Sequence, residues 1–241
     1  MTSEDDTIDA PGELVLRTQA RARPGETTLI AVTGAVAVGK STMCAQFASA
    51  LEAAGSRAAV VSTDGFLYPY AELEARGLML RKGFPDSYDV PSLHAFLAAA
   101  REGSSDLSAP IYSHETYDIV PDERQHIGVV DVIVIEGVNA LSATAGLVDL
   151  GVYIHADEAV IERWYIERFH RLCEEATPGS FYAQFAGLDA AQIDAVAQHV
   201  WDTINLVNLR EYIEPSRVHA DVIVEKLPDH RVGAVVDVAK R

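Results

Sequence analysis

Residues 34–41 read Gly34-Ala35-Val36-Ala37-Val38-Gly39-Lys40-Ser41, a complete G-x-x-x-x-G-K-[ST] string. This spacing is built for phosphate. Gly34 and Gly39 permit a tight backbone curl that side chains would block. The curl aims successive N–H groups, through Thr42, at phosphate oxygens and ends on a helix N-terminus whose partial positive charge favours an anion. Lys40 brings a mobile ammonium to the β- and γ-phosphates, and the Ser41 hydroxyl can ligate Mg²⁺. Two acids close other apolar runs: Asp64 in Thr63-Asp64-Gly65 and Glu136 in Ile135-Glu136-Gly137. A carboxylate at Asp64 can take the proton of an attacking hydroxyl or hold that hydroxyl in line. Glu136 resembles the acidic strand end that holds Mg²⁺ directly or through water. The chemistry these residues suit is phosphoryl transfer from a nucleotide.

These groups must be positioned by strands and helices. Residues 27–33 are apolar and β-branched and read as the strand feeding the loop, and 41–54 as the helix leaving it. Further strands are expected at 57–62, 129–135, 150–155 and 218–224. Helices are expected from Ser92 to 101, from a cap at Asp157 to 175, over 189–212, and as a closing element over 229–240. Residues 66–90 read as irregular with a short helix, and 109–124 as a loop. Residues 1–26, with Glu4, Asp5, Asp6, Asp9 and Glu13, read as a flexible acidic arm before one domain over 27–241. Strands separated by helices predict an α/β three-layer sandwich with a mainly parallel sheet. In such sheets ligands sit beyond the carboxyl ends of the strands, where Gly34–Ser41, Asp64 and Glu136 fall.

Composition narrows the class. The 241 residues are 49% hydrophobic and 7% aromatic, a globular balance, and the net charge of −17 argues against nucleic-acid or anionic-membrane partners. Cys44 and Cys173 are too few for a disulfide framework and read as reduced packing residues. The eight histidines show no zinc-ligand spacing. No secretion signal and no membrane-spanning run are evident, so a cytoplasmic location is expected.

The strings VTGAVAVGKST (32–42), STDGFLYP (62–69), GLMLRKGFPDSYD (77–89), APIYSHETYDIVPD (109–122), IVIEGVNAL (133–141) and WYIERF (164–169) resemble those of bacterial type I pantothenate kinases. The resemblance runs in the family order from about residue 29 to 230. It implies the phosphate-loop kinase fold shared with uridine kinases and phosphoribulokinases. It also implies ATP and Mg²⁺ as cofactors, pantothenate as acceptor and a homodimer. By match, Lys40 and Ser41 handle phosphates and metal, and Asp64 is the catalytic aspartate. Tyr112, His114 and Tyr117 contact pantothenate, as do Tyr165, Arg168, Phe169 and Asn205. Lys82 lies near the nucleotide phosphates and His230 beside the adenine. The residue types agree: Tyr112, His114, Tyr117 and Asn205 suit an amide, a carboxylate and hydroxyls, Phe169, Val200 and Ile204 suit a gem-dimethyl group, and Arg168 suits charge on a transferring phosphoryl.

Departures from the family pattern carry expectations of their own. The region before the loop is short by several dozen residues. Ala45 stands where better-known members carry a basic residue implicated in coenzyme A binding, which implies weak feedback inhibition. Leu172 replaces an aromatic residue, and Phe181-Tyr182 stands where the family has Tyr-Phe. Two other readings are a kinase for a different small alcohol, such as a nucleoside or sugar, and a nucleotide-binding protein without turnover.

Overall fold

The structure, a computed structural model, describes residues 8–239. Eight strands are found among them: β1 (Thr28–Gly34), β2 (Ala58–Ser62), β3 (Ser108–Ser113), β4 (Asp118–His126), β5 (Val132–Glu136), β6 (Leu150–His155), β7 (Val222–Lys226) and β8 (Val232–Asp237). Six form one sheet in the order β2-β5-β1-β6-β7-β8, and β3-β4 form a separate ribbon. The first five strands of the sheet run parallel, and β8 joins β7 antiparallel. Every residue of β1 and β5 is buried. Successive side chains point to opposite faces, so uninterrupted burial requires cover on both faces and explains the unbroken runs LIAV and VIVI.

The helices that matter for the site are α1 (Ala10–Gln19), α2 (Lys40–Ala53), α3 (Tyr70–Ala75), α4 (Val90–Arg101), α5 (Ala140–Ala143), α6 (Glu158–Glu174), α7 (Ala190–Val200) and the single turn α8 (Leu206–Asn208). Helix α2 buries Met43, Cys44, Phe47 and Leu51 and lies against β1, β2 and β5. From α7 the chain continues without a break through a π-helical stretch at Trp201–Asn205, through α8, and through a second at Leu209–Ile213. None of the helices of the described residues is long and apolar enough to cross a membrane.

Four expectations need correction. Part of the expected arm is α1: Ala10 and Leu14 are fully buried and α1 packs on α2 and β8. Its apolar stripe was masked by flanking acids. Residues 1–7, with Glu4, Asp5 and Asp6, lie outside the described residues. The expected 109–124 loop is largely the β3-β4 ribbon, with Tyr112 opposite Ile119 and Ser113 opposite Asp118. A ribbon of half-buried and exposed residues carries little apolar alternation, and its prolines fit edge strands. The closing helix is instead β8, whose valines complete the β7 edge. Helix α4 is capped by Asp89, which accepts from the Ser92 amide at 3.1 Å; Ser92 itself lies inside the first turn, past Pro91.

Candidate active site

The parallel register sets the site. β5 lies between β2 and β1, and Glu136 pairs with both Val32 and Ser62. The phosphate loop follows Val32 by two residues and Asp64 follows Ser62 by two. All three therefore emerge at one edge of the sheet.

In the loop, Gly34 has no room for a side chain: a Cβ there would meet the Ile154 carbonyl oxygen at 2.7 Å and Val38 Cγ1 at 2.9 Å. Ala37 and Gly39 hold positive φ of 62° and 91°. Gly39 is the N-cap of α2 and offers no side-chain cap, so the first amides of that helix keep their donors for a ligand. Lys40 Nζ donates to the Ala35 carbonyl at 2.9 Å. Burial lowers the pKa of Lys40, against the charges of Glu136 and Asp64, and Arg168 adds to the lowering. This is electrostatic contact among four of the expected residues. Ser41 Oγ donates to Glu136 Oε1 at 3.0 Å. That all-oxygen pair suits Mg²⁺, which takes few protein ligands and completes its shell with water and phosphate. No cluster of three or more His, Cys, Asp or Glu that could cage a metal occurs among the described residues.

Asp64 sits on a 3₁₀ turn (Thr63–Phe66) directly after β2, with its amide donating to Ser62 Oγ at 3.2 Å. Gly65 is required next: a Cβ there would meet the Pro110 carbonyl oxygen at 2.4 Å, so this turn presses against β3. The ribbon thus presents its aromatic residues to Asp64. Tyr112 lies 6.1 Å from Tyr117 and 5.1 Å from the exposed His114 ring, edge-on to both. Tyr117 adopts φ of 59° and stacks on Phe181 at 4.2 Å. Burial pushes its phenol up to about 12, and it feels both Asp64 and Arg168. On α6, Tyr165 and Phe169 are buried, Tyr165 contacts Trp201, and Asn205 lies close enough to favour the Tyr165 phenolate against the raising effect of burial. Phe169 packs on Tyr182 and Phe185. The result is an aromatic wall with a few polar groups, facing the Asp64 edge.

Two further expected residues, Lys82 and His230, have contacts of their own. Lys82 bonds the Tyr117 carbonyl and sits over the Tyr112 and Tyr117 rings at 5.0 and 4.2 Å. Burial lowers its pKa, opposed by Asp118 and Asp64. His230, in the β7–β8 turn at φ of 67°, stacks on Trp164 at 4.1 Å and is exposed.

Lys226 was missed by the sequence reading, which ended that strand at Val224. It is the last residue of β7, and its Nζ lies 3.9 Å from where a Cβ on Gly39 would stand. Burial lowers its pKa. The rule that strand ends carry the chemistry would have found it, given the right boundary.

Residues 29–171 match the model of the phosphoribulokinase/uridine kinase family. The chain is 44% identical over 220 residues to a pantothenate kinase of Sorangium cellulosum, covering 86% of this chain and 71% of that protein. It is 39% identical over 218 residues to a pantothenate kinase of Enterococcus faecalis, with the same coverage. Among solved structures, a D-glycerate 3-kinase from Cryptococcus neoformans superposes with a TM-score of 0.64 at 16% identity, covering 94% of this chain and 97% of that one, which is a likeness of fold. With the phosphate loop, the strand-end acids and these identities together, the chain belongs to the phosphoribulokinase/uridine kinase family and, within it, to the pantothenate kinases.

Proposed function

We propose that the protein transfers the γ-phosphoryl group of ATP to the 4′-hydroxyl of pantothenate. The observation that carries this reading is convergence. Lys40, Asp64, Glu136 and Arg168 share one field at the sheet edge, and the tyrosines of the β3-β4 ribbon and of α6 close over it.

The loop amides and Lys40 hold the β- and γ-phosphates. Mg²⁺, held through Ser41 and Glu136, would neutralise charge on those phosphates. Asp64 orients the acceptor hydroxyl and takes its proton as it attacks in line. Lys40 and Arg168 stabilise the equatorial oxygens of the phosphoryl in transit. Lys226, at Gly39, adds a second ammonium beside the nucleotide. Tyr112, Tyr117, Tyr165 and Asn205 supply hydrogen-bonding partners to the acceptor, and Phe169 an apolar wall.

The test is purified protein with ATP, Mg²⁺ and pantothenate, with phosphopantothenate detected by mass. ATP consumption with a nucleoside or a sugar but not with pantothenate would move the reading to another alcohol, for which Leu172 and Phe181-Tyr182 give room. Nucleotide binding without transfer to any alcohol would refute it. Asp64→Asn should lower kcat by roughly 10² or more with a modest change in KM; near-normal turnover would remove Asp64 from the role. The homodimer and the cytoplasmic location remain readings from the resemblance and the sequence, the first open to sedimentation analysis.

A further inference from the structure

Asp64 has one oxygen already engaged. The Tyr88 hydroxyl donates to Asp64 Oδ1 at 3.3 Å. Tyr88 is 4% exposed, so this is a bond shielded from water. Its backbone is fixed against the segment that follows Asp64. Tyr88 forms an antiparallel bridge with Leu67, the Tyr68 amide donates to the Ser87 carbonyl at 2.9 Å, and the Asp89 amide donates to the Phe66 carbonyl at 2.7 Å. Ser87 is itself locked, its hydroxyl donating to the Phe84 carbonyl at 2.7 Å and accepting from the Gly83 amide at 3.0 Å. The clamp joins the end of the 66–90 stretch to its beginning, and the phenol is its one polar group aimed at the carboxylate. Burial, then the charge of Asp64, raises the phenol pKa well above its ordinary value. The hydroxyl is therefore a permanent donor.

We propose that Tyr88 is a positioning residue for phosphoryl transfer: it holds Asp64 Oδ1, so that Oδ2 is the oxygen presented to the acceptor hydroxyl. Without it the carboxylate is free to rotate toward the Lys40 ammonium, whose charge it already feels. Such a rotation would cost alignment without costing substrate affinity. The inference rests on the assignment of Asp64 as base, and on kinase activity, but not on which alcohol is used.

The experiment is a double-mutant cycle of wild type, Tyr88→Phe, Asp64→Asn and the pair, assayed with the alcohol that wild type phosphorylates. Removal of one hydrogen bond to a charged group should lower kcat about 10- to 100-fold, with both KM values within about twofold of wild type. The pair should be no slower than Asp64→Asn alone. Wild-type kcat in Tyr88→Phe, or a loss adding in full to that of Asp64→Asn, overturns the inference. Should Tyr88→Phe not fold, 3-fluorotyrosine at position 88 keeps the ring and alters only the strength of the donor. A changed kcat at fixed KM then supports the role, and an unchanged kcat overturns it. Absence of any transfer by wild type would instead sink the functional reading itself.

Discussion

The loop lysine is the residue whose protonation should report ligand binding. Burial lowers the Lys40 pKa below its ordinary 10.5, against the charges of Glu136 and Asp64. Phosphate oxygens favour the charged form, so the bound complex holds the proton to higher pH. Between the two pKa values, ATP binding should take up protons, and affinity should fall as pH rises through the lower one. Calorimetry at alkaline pH in two buffers of different ionisation enthalpy measures the uptake, and Lys40→Met should abolish it. Folding carries the companion sign. A lysine depressed in the fold leaves the unfolded chain binding more protons, so its unfavourable contribution disappears as pH rises from the lowered folded pKa to the unfolded value of 10.5. Lys82 and Lys226 share the direction and the cause.

At the scale of elements, the segment before the phosphate loop is a structural part of the core. Helix α1 starts at the Asp9 cap, which accepts from the Gly12 amide at 3.0 Å, and buries Ala10, Leu14, Val15 and Thr18. Arg17 joins it to β8 through Asp237 at 2.7 Å and bonds Glu13 at 2.6 Å. The Arg17 guanidinium holds the Asp237 carboxyl below the usual range, yet that carboxylate is largely exposed, so the ion pair adds little. The apolar contacts decide. Leu14→Ala should destabilise by about 2–5 kcal/mol, which for a chain of this size lowers Tm by roughly 5–15 °C. Thermal unfolding checks this, and an unchanged Tm would detach α1 from the core. The π-helical turns also belong here. Asn205 ends the first of them, beside Tyr165, and π-helical turns are frequent at functional sites.

Across the whole molecule, a chain of net charge −17 must gather its cations to hold a polyphosphate. Lys40, beside Arg168, and Lys226, near Gly39, come from separate stretches of sequence. The family resemblance adds an expectation about regulation. Ala45, exposed on α2, offers no cation where a basic residue is implicated in holding coenzyme A. Feedback inhibition by coenzyme A should therefore be weak. Steady-state assays with varied ATP check it, and tight competitive inhibition would refute it.

The nucleotide cradle was legible in the chain because its parts are contiguous. Eight consecutive residues carry the glycine freedom, the lysine and the hydroxyl, and burial on both faces writes β1 and β5 as unbroken apolar runs. Asp64 and Glu136 were legible because they end such runs. Elements with weak local signals were misread. α1 hides its stripe among acids, β3 and β4 have almost no buried alternation, and the valines of β8 fit a helix as well as a strand until β7 supplies an edge. Only the folded chain decided which distant groups meet. It set Tyr88 on the carboxylate of Asp64, Lys82 over the Tyr112 and Tyr117 rings and Lys226 beside Gly39. The physical reason is that local spacing specifies which donors a segment carries, whereas strand order, register and the crossing of loops specify what those donors face.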